Sequence, residues 1–162
     1  MHRITPCLWF DGKAEEAAGF YVSVFPESRV DGVHRAPGEY PSGAVGMVLL
    51  VEFTLMGQPF VGLNGGPAFR FNEAISFQIP VHTQEQVNRF TNALSAVPEA
   101  EQCGWVKDRY GVSWQIVPQQ LTRLITDADP ARAKRAFEAM MTMKRIDIAA
   151  LERAAGSSAS GS

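Results

Sequence analysis

A chain of 162 residues, 46% hydrophobic and 20% charged, is long enough to bury a substantial core and too apolar for a disordered segment. Its formal net charge of −2, with lysines and arginines scattered, gives no electrostatic reason to expect nucleic acid or an anionic membrane as a partner. The two cysteines, Cys7 and Cys103, lack CxxC spacing and are read as reduced thiols, not as a zinc or redox site. Met1 to Pro6 has no signal-like apolar stretch, and no run approaches the roughly 20 apolar residues of a membrane span. A soluble, cytoplasmic protein is therefore expected.

Residues 3–10 alternate as a short strand, with Ile4, Leu8 and Phe10 on one face and Thr5, Cys7 and Trp9 on the other. From Lys13 to Val24 the spacing becomes helical, with Ala14, Ala17, Ala18, Tyr21 and Val22 apolar and Glu15 and Glu16 in the first turn. Pro26 ends that helix. Strand candidates follow at 28–36, 45–56 and 58–64, with Met56-Gly57-Gln58-Pro59 as a turn between the last two. Asn64-Gly65-Gly66-Pro67 closes this half. The order then recurs: a strand from Ala74 to Val81, a helix from the cap Thr83 (with Gln86 three residues on) to about Ala96, and strands near 101–107 and 112–117. Beyond Pro118 the chain reads as helical, around Gln119–Thr126, Pro130 to Met143 with Asp129 as cap, and Asp147 to Ala155. Arg132, Lys134 and Arg135 are expected on a solvated helix face. Phe137, Met140, Met141 and Ile146 form an apolar stripe read as core or dimer packing, and Gly156 to Ser162 as a flexible tail.

The motifs Leu8-Trp9-Phe10-Asp11-Gly12, Ala14-Glu15-Glu16-Ala17 and Phe60-Val61-Gly62-Leu63-Asn64-Gly65-Gly66 resemble the PhnB-like branch of the glyoxalase/bleomycin-resistance/extradiol-dioxygenase (vicinal oxygen chelate) superfamily. Cys103 to Pro118 is the strongest match, and Met140 to Ile148 resembles the branch as well. The branch often carries the label 3-demethylubiquinone-9 3-methyltransferase. The resemblance implies an α+β fold of paired βαβββ modules with C-terminal helices, a curved sheet around a pocket, and a homodimer. Residues 1–155 would form a single glyoxalase-like domain: module one about 1–67, module two about 68–118, helices over 119–155 and a tail at 156–162.

Metal-dependent members of the superfamily place His, Glu or Gln at four strand positions, which fall here on Thr5, Gly62, Ala74 and Gln115. Only Gln115 offers a good donor, so no metal is expected. His2 lies near the start, His34 in a loop-like stretch and His82 at a strand end, and none restores the set. The expected ligand-binding residues are Thr5, Cys7, Trp9, Glu52, Asn64, Ser76, Gln78, Trp105 and Gln115. Trp9 is either a stacking platform or a core residue. Glu52 is the one catalytic candidate: desolvated it suits general-base work, while at a sheet edge it would simply face water or an arginine. Cys7 has no basic partner in sequence, and Asp108 and Arg109 read as a loop ion pair. The sole Gly-rich turn, Asn64-Gly65-Gly66-Pro67, precedes no helix and gives no S-adenosylmethionine site. The expected function is metal-free binding of a small molecule, with no cofactor. The alternatives are an enzyme of the same fold acting on a small carbonyl or aromatic substrate, or a dimeric interaction module.

Overall fold

Two apolar residues spaced by one, Leu8 and Phe10, are buried while Cys7 and Trp9 between them stay more open, and this alternation forms strand β1 (Cys7–Phe10). The computed structural model describes residues 3–156; the expectations for His2 and for most of the tail lie outside them. The strand is shorter than the sequence suggests. Residues 3–6 are irregular and Ile4 is 97% exposed; β1 pairs with β4 only from Cys7 opposite Val61 onward.

Helix α1 (Ala14–Val24) buries Ala14, Ala17, Ala18, Tyr21 and Val24, with Glu15 and Glu16 at its dipole-positive end. Strands β2 (Arg29–Arg35), β3 (Val48–Leu55) and β4 (Gln58–Asn64) complete a four-stranded sheet of order β1-β4-β3-β2. The β1–β4 pair is parallel, and the other two are antiparallel. The β3–β4 hairpin turns on Met56 and Gly57 alone, with φ of 48° and 82°, the left-handed pair that two-residue hairpins require. Pro59 therefore sits within β4, opposite Thr54, where β1 does not yet pair and a missing N–H costs no ladder bond. Helix and sheet meet closely at Gly62, where a Cβ would lie 3.2 Å from the Ala14 Cβ and 3.4 Å from the Phe10 ring.

The chain divides after Phe71 into two compact units. In the second, β5 (Phe77–Val81), β7 (Ser113–Pro118) and β6 (Trp105–Lys107) form a three-stranded sheet in that order. The first unit is thus a full βαβββ module, while the second has one strand fewer among the described residues. The segment 98–104 is used differently. Pro98–Ala100 makes a 3-10 turn, and Cys103 and Gly104 take φ of 51° and 84°, leaving one bridge between Gln102 and Trp105.

Helix α2 (Gln84–Leu94) packs Val87, Phe90, Thr91 and Leu94 inward. Its cap follows the sequence expectation: Thr83 Oγ1 accepts from Gln86 N at 3.2 Å, and Gln86 Oε1 accepts from His82 N at 2.7 Å. Helices α3 (Gln119–Ile125), α4 (Pro130–Met141) and α5 (Ile148–Ala155) end the described chain, α4 and α5 capped by Asp129 and Asp147. The basic group on α4 is not a plain solvated face. Arg132 pairs with Asp127 and donates to Gly156 O at 3.1 Å, Arg135 donates to Ala155 O at 2.6 Å, and Lys134 pairs with Glu138. The two arginines thereby satisfy carbonyls at the C-terminus of α5. Of the apolar stripe only Ile146 is core; Phe137 and Met141 are 49% and 50% exposed. Among the described residues no helix is long and apolar enough to cross a membrane.

Candidate functional site: the helix-free sheet faces

Each sheet has one face finished by helix packing and one without. In the first unit the register places Cys7, Val61, Glu52 and Gly32 in one transverse row of the helix-free face, and Trp9, Leu63, Leu50 and His34 in the next. Of the candidates, Cys7, Trp9 and Glu52 lie on this face. Thr5 precedes β1 and is exposed, and Asn64 points the other way.

Glu52 is not buried. Its Oε2 lies 2.7 Å from His34 Nε2, and the two side chains are 54% and 55% exposed. β3 is an inner strand, and the edge is β2. His34 is on that edge strand, not in a loop, and sequence reading missed its role. The signal was available: pairing the 28–36 and 45–56 candidates as a hairpin brings His34 beside Glu52. A Cβ on Gly32 would lie 3.1 Å from His34 Nε2 and 3.2 Å from Glu52 Oε2, so the glycine leaves room for the pair. Register shifts fall between Val30 and Gly32 and between His34 and Arg35, irregularities that re-aim side chains along an edge.

Cys7 is accessible, but partial burial pushes its thiol above the ordinary range, which favours the protonated, non-nucleophilic form. Trp9 is committed to the neighbouring turn. Its Nε1 donates to Gly66 O at 2.8 Å, its ring meets Phe69 edge-on at 5.0 Å, and a Cβ on Gly65 would fall 2.4 Å from the indole. Asn64 is 7% exposed and structural at both ends of its amide: Oδ1 accepts from Ala14 N and Nδ2 donates to Val48 O, each at 2.9 Å. It also borders a cavity of about 400 Å³ with Asp11, Glu15, Tyr40, Ser42 and Met47 that sequence reading did not anticipate.

In the second unit the remaining candidates gather. The register aligns Trp105, Gln115 and Gln78 across the three strands on the face opposite to buried Val106, Trp114, Ile116 and Ile79. Gln115 Nε2 donates to Ser76 Oγ at 2.7 Å, and Gln78 Nε2 lies 3.4 Å from Gln115 Oε1. Asp108 is 1% exposed and organises the β6–β7 turn beside this face. Its Oδ1 accepts from Tyr110 N and Val112 N at 2.8 and 3.0 Å, and its Oδ2 from Trp114 Nε1 at 2.9 Å.

The positions where the superfamily holds a divalent ion do not fit one here. Thr5 and Ala74 lie outside the strands and are exposed, and Gly62 faces α1 and the Phe10 ring. Its neighbours on the helix-free face, Val61 and Leu63, are hydrocarbon. Of the four, Gln115 is the one good donor; its Oε1 lies 3.4 Å from Gln78 Nε2, while its Nε2 donates to Ser76 Oγ. Among the described residues no three His, Cys, Asp or Glu side chains are grouped to hold a metal.

Strand order, the βαβββ module and the helix-free faces define an α+β protein of the vicinal oxygen chelate fold. The family model described as 3-demethylubiquinone-9 3-methyltransferase matches residues 2–117, and the chain belongs to that family. Residues 140–148, which resemble the branch by sequence, lie beyond the matched span. A PhnB protein from Bacillus cereus is 33% identical, with a TM-score of 0.60 over 72% of this chain and 99% of that one. A Pseudomonas aeruginosa protein (19% identity, TM-score 0.53, 72% and 96% covered) and an Arabidopsis thaliana gene product (23%, 0.50, 72% and 98%) share the fold. No curated protein matches the chain.

Proposed function

We propose that this protein binds a small, neutral, partly planar molecule through side chains, without a resident metal. The observation that carries the reading is the row Trp105–Gln115–Gln78 with Ser76, an indole beside three linked polar groups on a sheet face that no helix of its unit covers. The indole supplies a stacking surface, and the Gln78 amide and Ser76 hydroxyl keep hydrogen-bonding capacity for a carbonyl or amide of the ligand. Ligand chemistry of this kind needs no general acid or base, so binding is its whole content.

The test is a thermal-shift screen of neutral aromatic amides, ketones and phenols. A ligand at about 100 times its Kd adds roughly 2.7 kcal/mol to native stability, a rise of several degrees in Tm. We expect that rise for at least one compound and its loss in Gln115→Leu. No rise across the panel, or one unchanged by the substitution, removes the reading. Stoichiometric zinc, nickel or manganese in protein purified without chelator would refute the metal-free part.

The proposal takes residues 1–155 as one functional domain of a cytoplasmic homodimer. Two free cysteines suit a reducing compartment, and exposed Phe137 and Met141 on α4 suit a subunit contact. Light scattering at twice 17.7 kDa is the expected result for the dimer.

A further inference from the structure

The first unit holds a second arrangement that ligand binding on the other sheet does not use. Between Trp9 at one end and His34 at the other, the helix-free face is floored by half-buried Val61, Leu63 and Leu50. Three strand spacings separate the ends, about 14 Å. At the open-edge end stands the His34–Glu52 pair, 2.7 Å between Nε2 and Oε2.

We propose that His34 and Glu52 form a proton-transfer dyad acting on a small, largely apolar acid, carbon or phenolic, laid across that floor. A carboxylate can only accept, so in the neutral ring Nε2 carries the hydrogen donated to Glu52 and Nδ1 carries the lone pair. Among the described residues no other group bonds Nδ1. Three features build the pair: the space left by Gly32, the register shifts on either side of it, and the inner-strand position of Glu52. In the step itself the substrate's X–H bond breaks, the electron pair stays on X, and the proton joins His34 Nδ1. Glu52 stabilises the resulting imidazolium through the Nε2–H bond and keeps its own protonation state. His34 is the catalytic residue and Glu52 its positioning residue. The dyad uses only residues of the first unit and the ligand row only residues of the second, so either reading can fail without the other.

A planar carbon acid, 5-nitrobenzisoxazole, serves as probe. As its C–H proton leaves, that electron pair completes the nitrile, the N–O bond breaks, and the N–O pair stays on the oxygen of a coloured phenolate. We expect kcat/KM to fall about 10- to 100-fold in His34→Gln, to fall less in Glu52→Gln, and to stay at the wild-type value in His82→Gln. Added imidazole should restore the rate of His34→Ala. Nitrogen-15 NMR should show the Nε2–H tautomer of His34 in the wild type and a mixture in Glu52→Gln. The proposal is overturned if His34→Gln matches the wild type, if His82→Gln falls as far, if imidazole restores nothing, or if the His34 tautomer ignores Glu52. All three positions are exposed, and a melting curve for each of the four variants confirms its fold.

Discussion

Replacing Asp108 by alanine tests whether the β6–β7 turn is held by one buried carboxylate. Three donors converge on it: Tyr110 N, Val112 N and Trp114 Nε1. Val112 and Trp114 are each 3% exposed, so neither donor can turn to water when the acceptor goes. An unsatisfied buried donor costs about 1–3 kcal/mol. Half-buried Tyr110 N can hydrate, so its loss adds less. The sum is roughly 3–5 kcal/mol, the range of exceptional single substitutions. Urea unfolding followed by circular dichroism reads it directly. With a slope of about 2 kcal/mol per molar, the midpoint should drop by about 2 M. Trp114→Phe removes the indole donor, so it should cost about 1–2 kcal/mol less in the alanine background than in the wild type. An Asp108→Ala midpoint close to the wild type, or full additivity of the two substitutions, refutes the argument.

Asn64→Leu removes the acceptor for Ala14 N and the donor to Val48 O together; we expect a loss of about 2–4 kcal/mol by urea unfolding, and a smaller loss in Asn64→Asp, which keeps the helix cap. Asp127 accepts from Asp129 N at 2.9 Å and pairs with Arg132; that backbone hydrogen bond first, and then the guanidinium, hold its carboxyl below the ordinary range. A carboxyl lowered by folding contributes stability above its unfolded pKa, so the contribution should fade as pH falls below about 4. Asp127→Asn should flatten that part of an acid-unfolding curve, and an unchanged acid limb would sink the linkage.

Local periodicity carried much of the fold. The strand candidate at 45–56 anticipates β3, and a Thr or Asp before each apolar run marks the starts of α2, α4 and α5. Parity within a strand suffices to put Ser76, Gln78 and Gln115 on one face, since side chains repeat every two residues. What parity cannot supply is the pairing partner. Glu52 reads as an oddity in an apolar strand until β2 lies beside it and supplies His34. Asn64 shows the same limit: β4 has its even-numbered residues toward α1, so the amide caps that helix, a role that only the packing of strand against helix reveals. The candidate near 101–107 shortens to Trp105–Lys107 for a similar cause: nothing short-range says that Cys103 and Gly104 turn left-handed.

The family description speaks of methyl transfer, and the Asn64-Gly65-Gly66-Pro67 turn is where sequence directs a search for a cofactor cradle. Such a cradle works by presenting unspent backbone N–H groups at close range. Here both glycine amides donate to Phe10 O, at 3.0 and 3.2 Å, and the first amide of α1 is taken by Asn64. The space that the glycines open is filled by the Trp9 indole and the Ser42 side chain, whose hydroxyl donates to Gly65 O at 2.7 Å. These glycines therefore serve close packing between a strand end, a tryptophan and a loop. The turn offers no such cradle, whereas amide, imidazole and carboxylate groups remain accessible on the helix-free faces.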